Sequence, residues 1–470
     1  MKMKKTKLSK VFSLAILLIP ICSGCNKETL KEPGAEVITI YIKDFEDWSN
    51  DYFIDAIDRY NDNVNDGVEV VYKMHDESSY TLAVQSARQD GDAPDIYMVD
   101  YSNLWQEIDM DYILPLNDVY DASFFEDYTD TALDATTFYK KIYAVPYCLE
   151  PSMLLFYSKS MFEKAGVEKE PQTYEEMLDT CEKLSKVINK NKGQDVLATP
   201  IGVPMGWANV GQFYNASNGN LPISDDWSKS LVATDNMEGY KTFLEYYTSL
   251  YSKGYASTDD VLGGYNEIIN ELCEGRVAMT FAGSYAVGQI YQDYIAKGYL
   301  DNADDIGCCL TPRLNQNLGA TANGGWSFVL DSSTNTKVAT NEKVQGKTHT
   351  ELAADFVKWY TTDATVATGF FELGKCSKQT GFKSIQTKLD DSQENNPFYE
   401  VIKEAANTAV PLPKYPYQIT DACAQMITTL SSAGNKNSVE KVIGLCHSEI
   451  EKQIEILKLA EPGKNPNSND

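Results

Sequence analysis

Short apolar segments and amphipathic segments alternate along the first part of the chain. Positions 37–42, 68–74 and 96–99 are rich in β-branched and other apolar residues, whereas residues 53–60 carry their apolar side chains at helical spacing. Strands that alternate with helices are typical of a parallel α/β sheet. The pattern therefore predicts the α/β class, whose ligands bind at the carboxyl ends of strands.

Polar and aromatic side chains follow these predicted strands directly. Trp48, Asp76, Asp100 and Tyr101 each come just after the end of a strand, as does His75. An aromatic ring offers a flat apolar face, and a carboxylate accepts strong, charge-assisted hydrogen bonds. We therefore predict that Trp48, Asp76, Asp100 and Tyr101 belong to a ligand-binding site.

A second pattern organises the middle of the chain. The uninterrupted apolar run at residues 153–157 predicts a strand that is buried on both faces, because a half-buried strand would alternate. Thr173 followed by Glu176 is a capping box, and the apolar residues of segment 177–188 recur at helical spacing. The predicted order is strand, turn, helix, loop and capped helix.

The order and spacing of this stretch resemble the family 1 extracellular solute-binding proteins of the maltodextrin-binding type. The similarity includes P-Y-x-x-E at 146–150, S-K-x-x-F-E-K-A-G at 158–166 and P-x-T-Y-E-E-M at 171–177. A second match joins G-R-x-A-M at 275–279 to G-S-Y at 283–285. The resemblance extends over about residues 37–459.

The resemblance implies a two-lobed fold of the periplasmic-binding-protein type II, with three crossings between the lobes. A chain of 470 residues is long enough for two cores. Family members usually have a proline soon after the glycine at position 374, whereas this chain reads KCSKQTGF, which leaves the third crossing open. The expected division is 36–147 and 311–374 for lobe one, 148–310 and 375–460 for lobe two, and 461–470 for a polar tail.

The same resemblance extends the predicted site. It implies that the aromatic ring at Tyr285 stacks on a sugar and that Glu150 matches the family's glutamate after the first crossing. Trp207 and Trp326 abut glycine and polar residues rather than apolar runs, which favours a cleft position over a core position. The alternatives are core packing for the rings and a solvated hinge acid for Glu150. The full set of predicted ligand-binding residues is Trp48, Asp76, Asp100, Tyr101, Glu150, Trp207, Tyr285 and Trp326.

The beginning of the chain predicts export. A lysine-rich start precedes the apolar segment 11–21, which is too short to cross a bilayer of roughly 30 Å. LIPICSGC at 18–25 resembles a lipobox, which implies a signal peptide over 1–24, lipidation of Cys25 and a tether over 25–35. The alternative is a plain secretory signal.

Charge and composition narrow the function. A formal net charge of −27 argues against a nucleic-acid partner and leaves a lipid anchor as the only expected membrane contact. Apart from Cys22 and Cys25 in the leader, the other eight of the ten cysteines form no C-x-x-C, and the three histidines do not cluster with them, so we expect no metal and no cofactor. G-x-S-x-G, H-E-x-x-H and P-loop motifs are absent, so we expect no enzyme. Any disulfide pairing stays open.

These observations predict a monomeric, lipid-anchored protein on the outer face of the cytoplasmic membrane. By the resemblance, it captures a sugar, with an oligosaccharide the leading candidate, and delivers it to the permease of an ABC transporter. Two alternatives remain. A binding protein for a nonsugar solute, such as a peptide or polyamine, would share the fold, and a secreted glycosidase would be a different class.

Overall fold

The structure is a computed structural model. It describes residues 34–64, 67–189, 193–199, 206–257, 265–393, 396–410, 412–432 and 434–467. The predicted signal peptide, Cys25 and most of the predicted tether lie outside the described residues. Within those described ranges, no helix combines the length and the apolar composition that crossing a membrane requires.

The strands of the described residues are numbered in chain order. They are β1 (Glu36–Lys43), β2 (Val68–His75), β3 (Ile96–Asp100), β4 (Thr137–Phe138), β5 (Lys141–Ile142), β6 (Val145–Pro151), β7 (Leu154–Ser158), β8 (Asp195–Ala198), β9 (Val277–Ala282), β10 (Ile306–Cys309) and β11 (Asn323–Leu330).

The α-helices are numbered in the same way. They are α1 (Asp47–Asn63), α2 (Glu77–Gln89), α3 (Leu104–Asp109), α4 (Ala122–Glu126), α5 (Asp130–Thr136), α6 (Lys159–Ala165), α7 (Tyr174–Ser185), α8 (Gly206–Ala216), α9 (Met237–Ser252), α10 (Tyr265–Cys273), α11 (Tyr285–Gln289), α12 (His349–Thr362), α13 (Ala364–Leu373), α14 (Lys383–Gln393), α15 (Tyr399–Thr408), α16 (Tyr417–Ser431) and α17 (Val439–Ile456). A π-helix, Ile290–Ile295, continues α11.

Two main sheets divide the molecule into lobes, which confirms the predicted two-lobed α/β fold. The sheet of lobe one has the order β2-β1-β3-β11-β6, and that of lobe two has the order β10-β7-β9-β8. β1 pairs in parallel with β2 and β3, as predicted, but β11 runs antiparallel to both of its neighbours. The parallel order predicted for the first three strands is therefore confirmed, and β11 adds antiparallel pairs because it enters from the other lobe rather than through a helical crossover.

Local predictions for the middle of the chain are confirmed. All five residues of β7 are buried, as expected of a strand covered on both faces. The capping box at the start of α7 is complete: the Glu176 amide donates to Thr173 Oγ1 at 3.2 Å, and the Thr173 amide donates to Glu176 Oε2 at 3.0 Å. This cap fixes where α7 begins behind the sheet of lobe two.

The connections between the lobes meet at one place. The first connection follows β6 and the second precedes β11, and the Ser152 amide donates to the Ala322 carbonyl at 2.8 Å. The Met153 amide donates to Thr321 Oγ1 at 2.9 Å. A third segment of the chain joins these two connections, because the Val410 amide donates to the Thr321 carbonyl at 2.9 Å. We call these segments, 151–153, 319–323 and 409–410, the hinge junction.

We place the third crossing later than residue 374, where it was expected. Residues 375–393 stay with lobe one: Leu149 and Gln379 exchange backbone hydrogen bonds of 2.8 and 2.7 Å, and α14 packs on α13. Helix α15 contacts β6 of lobe one, although Phe398 just before it meets Phe156 of β7 at 6.2 Å, and α16 and α17 then pack on α9 of lobe two. We therefore propose that the third crossing covers residues 409–416 and that the chain after Gly374 first turns back along β6.

The described part of the predicted polar tail packs against both lobes. The Lys464 carbonyl accepts hydrogen bonds from Trp105 Nε1 at 3.1 Å and from the Tyr139 hydroxyl at 2.8 Å, both in lobe one. Asn465 Nδ2 donates to the Asp225 carbonyl of lobe two at 2.7 Å. Residues 464–465 thus link the two lobes at a point away from the hinge junction.

One histidine links three segments of lobe one. His349, at the start of α12, places Nε2 3.0 Å from Glu36 Oε1 and Nδ1 3.0 Å from Asp95 Oδ1. The hydrogen bond with Asp95, followed by that with Glu36, raises the pKa of His349, while burial opposes the shift. The pair of contacts joins β1, the approach to β3 and α12.

Replacing His349 should make stability respond differently to pH. A histidine whose pKa is raised by folding stabilises the protein fully below its unfolded pKa, and that contribution is lost as pH rises through the folded pKa. We expect His349→Gln to lower the free energy of unfolding by about 2 kcal/mol at pH 6 and by clearly less at pH 9. Urea unfolding at both pH values measures the difference. His447→Gln in lobe two is the control, and a His349→Gln deficit that is the same at both pH values would contradict the assignment.

Candidate ligand-binding site

A cleft of about 940 Å³, including the part that opens to solvent, lies between the lobes. Both lobes contribute aromatic rings to its walls. These rings are Phe45, Tyr80, Trp207, Tyr285, Trp326 and Tyr417.

Trp326 dominates the wall of lobe one. The edge of the Phe45 ring approaches the indole at 5.1 Å between centroids and an interplanar angle of 76°, and Tyr80 makes a similar contact at 6.4 Å. Lys43 Nζ lies 4.6 Å from the centre of the indole, a cation–π distance. These neighbours hold the half-buried indole in one orientation at the surface of the cleft.

The wall of lobe two is built at helix starts. Trp207 is the second residue of α8 and is half-buried, whereas Tyr285, the first residue of α11, is almost fully buried. Burial raises the pKa of the Tyr285 hydroxyl, so the group stays neutral. Tyr417, the first residue of α16, completes this wall. The cleft is therefore lined with rings from two separate bodies.

Two glycines let β11 approach the rest of the site. Gly325 has φ +126°, and a Cβ there would lie 2.2 Å from the Cys148 carbonyl oxygen. A Cβ on Gly324 would meet no atom closer than 3.8 Å, and one of its nearest neighbours would be the indole of Trp207 at 3.9 Å. Gly325 is thus required by the backbone, whereas a Cβ on Gly324 would make only ordinary van der Waals contacts.

The floor of the cleft carries buried charges. Lys378 Nζ donates to Glu46 Oε1 at 3.2 Å and lies 3.6 Å from Glu150 Oε2. Burial raises the pKa of Glu150, and the Lys378 ammonium opposes the shift. Asp100 also lines the cleft, but its oxygens cap the following turn, where the Ser102 amide donates to Oδ1 at 3.0 Å.

The structure brings together most of the residues expected in the site. Those that line the cleft are Asp100, Glu150, Trp207, Tyr285 and Trp326, whereas Trp48, Asp76 and Tyr101 do not line it. Each of the five comes from a different segment of the chain, so their convergence depends on the fold.

Trp48 belongs to the core rather than to the cleft. Its ring stacks on Phe370 at 5.3 Å, and a Cβ on Gly374 would come within 2.4 Å of the indole. Helix α1 starts at Asp47, so the helical turn directs Trp48 toward α13 while the preceding Phe45 and Glu46 face the cleft. We therefore leave Trp48 out of the proposed site.

Asp76 and Tyr101 also serve the fold. Asp76 is exposed and caps α2, where its Oδ1 accepts a hydrogen bond from the Ser79 amide at 2.9 Å. Tyr101 is buried, and its hydroxyl donates to the Cys148 carbonyl at 3.2 Å. A position next to a strand end therefore does not by itself place a side chain in the cleft.

Several lining residues were missed from the sequence. Lys43, Phe45 and Glu46 directly follow or end β1, so the rule about strand ends would have found them if it had been applied to the whole loop. Lys378 gave no signal of its own. Among the described residues, no group of three or more His, Cys, Asp or Glu side chains could hold a metal ion, and the eight cysteines there are free thiols.

Two lobes, connected by segments that meet at a hinge and separated by a ring-lined cleft, define a solute-binding protein of the two-lobed type. The chain belongs to the bacterial extracellular solute-binding protein family, whose sequence profile matches residues 55–377. This confirms the resemblance inferred from the sequence motifs.

Known proteins agree with this assignment. An uncharacterized ABC transporter extracellular-binding protein of Pyrococcus horikoshii is 23% identical over 314 residues, 63% of this chain and 68% of that protein. A solute-binding protein of Thermotoga lettingae bound with α-D-tagatose aligns with a TM-score of 0.72 at 21% identity, over 89% of this chain and 99% of that chain. A substrate-binding protein of Listeria monocytogenes in complex with cycloalternan has a TM-score of 0.68 at 17% identity, over 90% and 99% of the two chains.

The two neighbouring glycines give a matched test of the cleft wall. We expect Gly325→Ala to lower the free energy of unfolding by roughly 3 kcal/mol, because alanine is strained at φ +126° and its Cβ would meet the Cys148 carbonyl. Gly324→Ala should stay within about 0.5 kcal/mol of the parent. Urea unfolding of both variants measures the contrast. Equal losses would show that the close approach of β11 to β6 is not specific to Gly325.

Proposed function

We propose that this protein captures a sugar, with an oligosaccharide as the leading candidate, between its two lobes and delivers it to an ABC permease. The observation that supports this most is the cleft, where rings from both lobes surround buried carboxylates. Membership of the solute-binding family and the sugar-bound neighbours, including maltose-bound and mannotriose-bound proteins, point the same way.

The chemistry of the cleft suits a sugar. Sugar rings have apolar C–H faces that stack on aromatic rings, and their hydroxyl groups donate hydrogen bonds to carboxylates. Trp326 and Trp207 supply half-buried indoles on the two walls, and Glu150 lies on the floor between them. Ligand contacts with both walls would favour closure of the lobes by hinge bending.

The protein binds its ligand without chemical change. A glycosidase needs one carboxyl group as acid and a second as base or nucleophile, with the glycosidic bond between them. Glu46 and Glu150 are both at ion-pair distance from Lys378, so the ammonium already engages both carboxylates. A nonsugar solute, such as a peptide or polyamine, remains the alternative ligand.

The proposed setting is the outer face of the cytoplasmic membrane. A lipid on Cys25 would anchor the protein there, and the tether that follows would let a monomer reach the permease. The net charge of −27 disfavours binding to nucleic acid or to an anionic lipid surface.

Calorimetry against a panel of neutral sugars tests the proposal. We expect at least one oligosaccharide to bind and to be recovered intact by chromatography. Cleavage of a glycan would support the glycosidase. Binding of polyamines or peptides, with no detectable binding of any sugar, would support the nonsugar alternative.

The two cleft tryptophans should matter for binding more than for stability. We expect Trp326→Ala and Trp207→Ala each to weaken binding of the sugar found in the panel roughly tenfold or more, because each loses a stacking face. Trp359→Ala is the matched control, since Trp359 is also half-buried but packs on Tyr60 and Phe356 in lobe one. If Trp326→Ala binds as tightly as the control, Trp326 does not contact the sugar.

A further inference from the structure

The charges on the cleft floor are unusually buried. Only 4% of Lys378, 3% of Glu46 and 6% of Glu150 is exposed. Removing such charges from water is costly, and an apolar replacement of a buried ion pair is often as stable as the pair. A contribution to stability therefore does not explain why these three charges are buried together in the proposed binding site.

The backbone adopts a strained conformation just before Lys378. Lys375 and Cys376, directly after α13, have φ of +56° and +51°, a conformation that costs side-chain-bearing residues energy and tends to occur at functional sites. The chain then pairs Gln379 with Leu149 of β6, whose next residue is Glu150. This turn is where the sequence departs from the proline usual in the family.

Two carboxylate oxygens of the cluster lack hydrogen-bond donors. Glu46 Oε2 and Glu150 Oε2 are each buried without a hydrogen-bond partner, although Glu150 Oε2 lies at ion-pair distance from Lys378. Buried polar atoms are normally hydrogen-bonded, so such atoms in a cleft wall point to donors that arrive with a ligand.

We propose that Lys378 is a positioning residue for ligand recognition. Its ammonium holds Glu46 and Glu150 side by side as ionised acceptors, and the acidic lining selects a neutral, hydroxyl-rich ligand over an anionic one. The proposal rests on the proposed function, because it names the ligand class for the same cleft.

The surrounding groups make the cleft lining acidic overall. Lys43 and Lys378 supply two ammonium groups, whereas Glu46, Glu150 and Asp100 supply three carboxylates, and the oxygens of Asp100 accept hydrogen bonds from Ser102 and Asn103. The neutral Tyr285 hydroxyl and the buried Cys148 thiol also lie near Lys378, and Tyr147 and Asp293 lie near Glu46. An acidic sugar would add a fourth carboxylate to this lining.

The first experiment measures binding. Calorimetry at pH 7 compares maltotriose with a glucuronate-containing oligosaccharide of equal length. Wild type should prefer the neutral sugar, and Lys378→Met should weaken its binding about tenfold or more. Lys383→Met, the same change at a half-exposed position on α14, should stay within about twofold. A wild-type preference for the glucuronate-containing sugar, or equal affinities of the two variants, would overturn the proposal.

The second experiment needs no ligand. Thermal unfolding of wild type, Lys378→Met and Lys383→Met is followed from pH 5 to pH 8. Without the ammonium, two buried carboxylates repel each other and favour protonation, so the deficit of Lys378→Met should grow as pH rises. Adding Glu46→Gln to Lys378→Met should reduce that growth.

The two experiments separate the two ideas. If wild type binds no sugar, the proposed function and its neutral-ligand extension fail, and the unfolding profiles still decide whether Lys378 holds the carboxylates ionised. A deficit of Lys378→Met that is the same at every pH would overturn that role.

Discussion

The structure depends on the hydrogen-bonded meeting of three chain segments at the hinge junction. The Ser152 amide donates to the Ala322 carbonyl there, the Val410 amide donates to the Thr321 carbonyl, and the Asn323 amide donates to the Val410 carbonyl, so the connections between the lobes form one small unit. Polar backbone at a buried place must find partners, and the neighbouring connections supply them. A relative motion of the lobes that broke these hydrogen bonds would leave buried backbone groups without partners.

The same segments also build the ligand site. Glu150 comes just before the first crossing, Gly324 and Trp326 come just after the second, and Tyr417 follows the third. A ligand that touches these residues therefore touches the chain on both sides of the hinge. Because a ligand shifts a conformational equilibrium only by its differential affinity for the two states, placing its contacts on hinge-connected segments is an economical way to couple binding to closure.

How much was predictable follows from how local each feature is. The capping box of α7 and the buried run of β7 depend on neighbouring residues, and both were correct. Trp326 and Glu150, which glycines and a family motif marked, line the cleft. Trp48 does not line it, because at the start of α1 its ring turns away from the cleft, stacks on Phe370 and lies beside Gly288. The position of Lys378 in the cleft could not be predicted from the sequence. It depends on a left-handed turn and on a pairing with β6, and no sequence pattern indicated either.

Contacts outside the cleft also contribute to the balance between open and closed lobes. Lys297 and Asp47 form an ion pair of 2.6 Å between the lobes, but both side chains are well exposed and such pairs contribute little in water. Trp105 and Trp227, by contrast, are almost fully buried and meet edge to face at 6.1 Å, next to the docked residues 464–465. Separating these rings would expose two large apolar surfaces to water. Any lobe movement that parted these rings would therefore cost free energy, which a ligand would have to offset through its differential affinity for the two states.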